Sequence, residues 1–143
     1  MTSFVLDASV TMTWLLADAK QGDHAYAATV LEAMKNPETL ADVPVTWSLE
    51  IANVLARAEA RELLTEAHSE AFLEMLSSLP IRADGSTFAR ALTDTLHLAR
   101  HHGLSCYDAS YLELALRTGL PLATLDADLA KAARKAGVKR FAA

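Results

Sequence analysis

Phe4-Val5-Leu6-Asp7-Ala8-Ser9 runs three apolar, strand-favouring residues straight into a carboxylate, with small side chains after it. A strand buried on both faces of a parallel sheet reads this way, and it delivers its acid to the carboxyl edge, where open α/β sheets hold their ligands. Pro121-Leu122-Ala123-Thr124-Leu125 repeats the layout and ends in Asp126. Two such strands side by side present Asp7 and Asp126 at the same edge.

Helical signals fill the space between them. Ser9 or Asp7 can cap a helix over Val10 to Leu16, and a second passes through Tyr26, Val30, Leu31 and Met34 until Asn36-Pro37 stops it. Asp42-Val43-Pro44-Val45 is a connection or short strand. A third helix starts near Thr46 or Ser48 and carries Trp47, Ile51, Val54, Leu55 and Ala58 as one apolar stripe, with Arg57 to Glu62 as its solvated end. Thr65 or Ser69 opens a helix through Phe72, Leu73 and Leu76, and Leu79-Pro80-Ile81-Arg82 suits a short strand. Asp84-Gly85-Ser86 leads into a helix through Phe88, Leu92, Leu96 and Ala99, closed by Gly103. Ser105 caps the next, which ends at Gly119; the last runs from Leu129 to Ala136, and Val138 to Phe141 suits an edge strand. Strands alternating with helices predict an α/β fold with a central parallel sheet covered on both faces, and no repeat or linker divides residues 1–143.

Composition bounds the function. At 143 residues, 52% apolar and 22% charged, the chain has enough material for one domain with a real core. No apolar run approaches the roughly 18 to 20 residues of a membrane span. The start lacks a signal peptide's basic stretch and apolar core, and a single cysteine, Cys106, fits a reducing cytoplasm. The net charge of −5 argues by itself against a nucleic-acid partner.

Four acids point to chemistry when taken together. Asp7 alone fits an N-cap as well as a catalytic role. Glu50, three residues after Trp47, borders the apolar stripe, with no basic residue at i+4 to pair it. Asp108 neighbours Tyr111, Leu112 and Ala115 on an apolar arc, where an unpaired charge needs a partner; a Ser105-x-x-Asp108 capping box is the competing account. Asp126 or Asp128 can cap the last helix. Gathered carboxylates repel unless a cation sits between them. All-oxygen ligands select Mg²⁺ or Mn²⁺ over zinc, and the matching chemistry is phosphodiester hydrolysis by metal-activated water. Lys131, Arg134, Lys135, Lys139 and Arg140 follow Asp128 without a further acid, a local basic rim that suits a phosphate backbone or an ordinary solvated face.

Other motifs carry less. His97 and His101 have i, i+4 spacing, but Leu98 stands where H-E-x-x-H needs a glutamate. His101-His102 suits a helix C-terminus, and Cys106 reads as a packed thiol. No Gly-rich phosphate loop occurs, and Asp126-Ala127-Asp128 comes too late in the chain to open a haloacid-dehalogenase-type fold.

At these residues the chain resembles PIN-domain ribonucleases, specifically VapC-type toxins of type II toxin–antitoxin pairs. The resemblance covers nearly the whole length, as a single PIN domain with a three-layer α/β/α fold. It rests on Val5-Leu6-Asp7-Ala8-Ser9, Leu49-Glu50-Ile51-Ala52-Asn53-Val54-Leu55, Gly103 to Ala115 and Leu122-Ala123-Thr124-Leu125-Asp126-Ala127-Asp128-Leu129, the third being the most specific. It implies that Asp7, Glu50, Asp108 and Asp126 hold Mg²⁺ or Mn²⁺, with Asp7 and Asp108 as direct ligands. Ser9 would orient the first acid or a water, and Thr124 would support it; Asp128 lies outside the core four. It also implies an RNA substrate, homodimers and silencing by a cognate VapB-type antitoxin. Trp47-Ser48-Leu49 departs from the aliphatic residues usual there. The alternatives are a non-catalytic PIN-like binding module and, more distantly, a phospho-accepting receiver-like domain using Lys139.

Overall fold

The computed structural model describes residues 2–142. In chain order it has β1 (Thr2–Leu6), α1 (Ala8–Thr13), α2 (Gln21–Ala33), β2 (Thr39–Val43), α3 (Trp47–Ala60), α4 (Glu66–Ser77) and β3 (Ile81–Ala83). There follow α5 (Thr87–Arg90), a π-helical turn (Ala91–Thr95), α6 (Leu96–His102), α7 (Cys106–Thr118), β4 (Leu122–Ala123) and α8 (Ala127–Lys135). The strands lie in the order β3-β2-β1-β4, and every pairing is parallel.

The sheet splits the core as the apolar run at Phe4 predicts. Phe4 and Leu6 face one way and pack with Tyr26, Ala27 and Val30 of α2 and with Met34 just after it. Val5 faces the other way, with Tyr111, Leu112, Leu114 and Ala115 of α7 and Leu129, Ala132 and Ala133 of α8. Helices therefore cover both faces of a three-layer α/β/α arrangement. A third cluster joins α1, α3 and α4 through Ala8, Met12, Ile51, Leu55, Phe72 and Leu76. The chain moves outward through β2 and β3 on one side of β1, then returns to place β4 on the other. The β1/β4 boundary is thus a topological switch point, and its carboxyl end opens a crevice.

Several elements differ from expectation for physical reasons. The strand expected at Asp42–Val45 lies earlier, because Asp42 sits inside β2, register-paired with Arg82 of β3. Arg82 Nε and Nη2 donate to its two carboxylate oxygens at 2.8 and 3.2 Å. β4 is two residues rather than five. Beyond Ala123 the backbone leaves the ladder: Leu125 N donates to Ser9 Oγ and Asp126 N to Thr124 Oγ1, both at 3.0 Å. The expected edge strand at 138–141 is reduced to one bridge between Leu122 and Arg140, though Phe141 stacks on Phe4 at 3.8 Å between ring centres. The helix expected over Phe88 to Ala99 is split by the π-helical turn, whose wider i→i+5 spacing rotates the face. Thr95 and Ala99 point inward, while Phe88 and Leu92 are 91% and 84% exposed. The first helix stops at Thr13, short of Leu16, and Cys106 is exposed rather than packed.

Candidate active site

Asp7 ends β1 and occupies the N-cap position of α1, yet its side chain caps nothing. The backbone carbonyl of Asp7 instead accepts from Val10 N at 3.1 Å. Both side-chain bonds converge on Oδ2: Ser9 Oγ donates at 2.6 Å and Thr124 Oγ1 at 2.7 Å. Oδ1 accepts from no group among the described residues. The two hydroxyls are themselves anchored by the backbone N–H groups of Leu125 and Asp126, so the end of β4 is folded around Asp7. Ser9 and Thr124, the two supporting groups that the resemblance implies, both bond the Asp7 carboxylate.

Glu50 projects from the first turn of α3 and is half-buried, and Tyr111 OH donates to its Oε1 at 3.1 Å. Tyr111 was not singled out from the sequence. The available signal was its place on an apolar arc three residues after Asp108: a fully buried tyrosine needs a partner for its hydroxyl. Burial, reinforced by the charges of Asp7 and Glu50, raises the Tyr111 phenol above its ordinary value, so it remains protonated and donating.

Asp108 lies in the first turn of α7. Ser105 Oγ accepts from Asp108 N at 3.1 Å, but the carboxylate does not turn back to complete a capping box, leaving it at the crevice. Asp126 does cap: its Oδ1 accepts from Leu129 N at 2.7 Å, which fixes the carboxylate and occupies one oxygen.

Asp7, Glu50 and Asp108 are each shifted by burial and by neighbouring charge. Asp7 is pushed up from 3.8 to about 6, first by burial and further by the charges of Asp108 and Asp126, against the two hydroxyl bonds. Glu50 rises from 4.5 to about 7, mainly through burial, with Tyr111 opposing and Asp7 adding. Asp108 is raised by burial and by Asp126 and Asp128. Three carboxylates are buried among the described residues: Asp7, Asp42 and Glu113, at 3%, 5% and 4% exposure. Asp42 pairs with Arg82, and Glu113 pairs with Arg117, which also holds Asp84. Asp7 has no cation.

Burying an unpaired carboxylate is costly unless a metal completes it. Among the described residues no three His, Cys, Asp or Glu side chains converge closely enough to enclose an ion. Mg²⁺ does not require such a cage, since it takes one or two carboxylates and keeps its waters. The donor chemistry here, hard oxygens with two carboxyls already oriented by hydroxyl donors, fits Mg²⁺ or Mn²⁺.

The basic residues divide. Lys131 and Lys135 share a pocket with Asp128, His101 and His102. Arg134 lines a separate, smaller cavity with Lys139 and Arg140. The expected rim is therefore divided between two surfaces, one on α8 and one where Arg134 meets Lys139 and Arg140 beyond its end.

Comparison with known proteins adds to this geometry. The PIN domain family profile matches residues 4–135. Ribonuclease VapC3 of Mycobacterium tuberculosis is 33% identical over 132 residues, covering 90% of this chain and 85% of the relative. Ribonuclease VapC3 of Pyrobaculum aerophilum is 38% identical over 82 residues, 57% of this chain, and the match spans 63% of that relative's length. The crystal structure of PAE2754 from Pyrobaculum aerophilum superposes with a TM-score of 0.64 at 22% identity, covering 92% of this chain and 84% of that one, a likeness of fold.

Proposed function

Because the chain belongs to the PIN domain family, we propose that it is a VapC-type endoribonuclease, the toxin of a type II toxin–antitoxin pair, hydrolysing RNA phosphodiester bonds. The reading takes residues 1–143 as one PIN domain, with Asp7, Glu50, Asp108 and Asp126 as its catalytic carboxylates. The observation that carries it is Asp7: buried, aimed by two hydroxyls and matched by no cation among the described residues, whereas Asp42 and Glu113 each have an arginine.

Nucleases of this family are generally metal-dependent, and Asp7, Asp108, Asp126 and Glu50 would hold Mg²⁺ or Mn²⁺. When bound, the ion supplies charge neutralisation at the phosphate and Lewis-acid activation of water. The chain's own groups do the rest. Ser9 and Thr124 hold Asp7 Oδ2 and leave Oδ1 without a hydrogen bond among the described residues. Tyr111 fixes Glu50 Oε1, and a carboxyl near 7 can exchange a proton with the reacting water at neutral pH. Asp126 is held by its own helix and cannot swing away.

The name carried by the relatives implies a VapB-type antitoxin as partner and RNA as substrate, and a homodimer is the assembly this reading expects. Among the described residues no helix is long and apolar enough to cross a membrane; a cytoplasmic site of action belongs to the proposal. The test is cleavage of RNA by purified protein with Mg²⁺ or Mn²⁺. EDTA and Asp7→Asn should each abolish it, and cleavage that survives both contradicts the mechanism. RNA binding without cleavage would favour a non-catalytic module.

A further inference from the structure

Beside the carboxylates, α6 and α8 enclose a polar pocket of about 340 Å³. Its walls carry His101, His102 and Gly103 from the end of α6 and Asp128, Lys131 and Lys135 from α8. We propose that this pocket is a subsite for a backbone phosphate of the RNA next to the scissile bond, with Lys131 and Lys135 supplying charge and the two histidines hydrogen bonds. The inference rests on the ribonuclease reading and names how that site holds its substrate.

Helical spacing explains the arrangement. Asp128, Lys131 and Lys135 fall at i, i+3 and i+7, so one face of α8 runs from the carboxylate end to the two lysines. Asp126 caps that same helix, so one rigid element joins this acid to the pocket, and the charge of Asp128 in the pocket wall reaches Asp108. Neither lysine makes an ion pair among the described residues, so both charges are available in a chain whose net charge is −5. Gly103, with φ of 65°, ends α6 in a left-handed turn that leaves His101 and His102 standing at the helix end, opposite α8. Their rings meet edge to face at 4.8 Å. His102 is lowered by burial, by His101 and by Lys135, which favours its neutral form and marks Lys135 as its neighbour. No Phe, Tyr or Trp lines the pocket, and its two imidazole rings pack edge to face on each other, so two lysine charges and not a broad stacking platform dominate it, which suits backbone. Contacts of this kind position the strand without reading its sequence. Arg134 faces another cavity and takes no part.

The experiment uses a synthetic RNA that the wild-type protein cleaves, with single uncharged methylphosphonate linkages placed in turn around the cut. In the wild type, neutralising one flanking linkage should lower kcat/KM by about tenfold, the scale of one charged hydrogen-bonded contact. In Lys131→Gln/Lys135→Gln that sensitivity should disappear, and the salt dependence of KM should weaken by a slope of roughly 1. Lys131→Gln alone should give an intermediate response, and a melting curve confirms that each variant folds. The same flanking-phosphate sensitivity and salt slope in the folded double variant would overturn the pocket while leaving the nuclease reading intact. Wild-type protein that cleaves no RNA with Mg²⁺ or Mn²⁺ would overturn the nuclease reading and this inference with it.

Discussion

Replacing Asp7 with asparagine should raise the stability of the metal-free protein at neutral pH while destroying its activity. The carboxyl sits at about 6 in the folded chain against an ordinary 3.8. At about 1.4 kcal/mol per pH unit, that rise corresponds to about 3 kcal/mol. The sign follows from proton linkage. A folded-state value above the unfolded one means that the native state binds the proton more tightly, so unfolding free energy falls as pH rises from about 3.8 to about 6. Above that window the folded chain carries the whole penalty of a buried, unmatched charge. Asparagine keeps the shape, and its carbonyl oxygen still accepts from Ser9 and Thr124, but it has no charge to bury. Urea denaturation in EDTA should therefore show Asp7→Asn more stable by about 1 to 3 kcal/mol at pH 7.5, with most of the gain gone near pH 4. Added Mg²⁺ should raise the wild type's stability, through ligand linkage, more than the variant's. A variant less stable than wild type at pH 7.5, or a gain independent of pH, would refute the view of Asp7 as a charge held for a cation.

Other perturbations probe the supports of the site. Tyr111→Phe removes the donor that holds Glu50 down, so the acidic limb of the kcat/KM profile should move to higher pH; an unshifted profile would show that Glu50 does not titrate in the reaction. Thr124→Val takes a hydroxyl from Asp7 and an acceptor from Asp126 N, and should cost about 1 to 3 kcal/mol in urea denaturation together with a loss of Mn²⁺ affinity. Arg117→Met strands Glu113, buried, and Asp84, and should destabilise by about 3 to 5 kcal/mol without altering divalent-ion affinity in protein that remains folded.

How far the sequence speaks depends on where the deciding partner lies. The alternation of Phe4, Val5 and Leu6 between two faces, and the return of a second strand to Asp126, are local patterns, and the sheet follows them. β2 hides because Asp42 is an unfavourable strand residue until Arg82, forty positions later, is seen beside it. The π-helical turn is equally hidden: Phe88, Leu92, Leu96 and Ala99 keep a regular spacing in sequence, and one wider turn exposes the first two. The four acids are individually legible and individually ambiguous. Capping competes at Asp7, Asp108 and Asp126, and the structure separates them: Asp126 caps with its side chain, whereas Asp7 and Asp108 do not. What decides Asp7 is Thr124, 117 residues away, and no spacing rule reaches that far. Tyr111 is core by pattern and by burial, and the partner of its hydroxyl, Glu50, lies 61 residues away.

Mn²⁺ binding to the purified protein, followed by electron paramagnetic resonance, tests the shared-cation claim most directly. The account predicts saturable binding that Mg²⁺ competes away and that Asp7→Asn and Asp108→Asn each weaken at least tenfold, or about 1.4 kcal/mol, in proteins that remain folded. No saturable binding, or binding indifferent to Asp108→Asn, would contradict it.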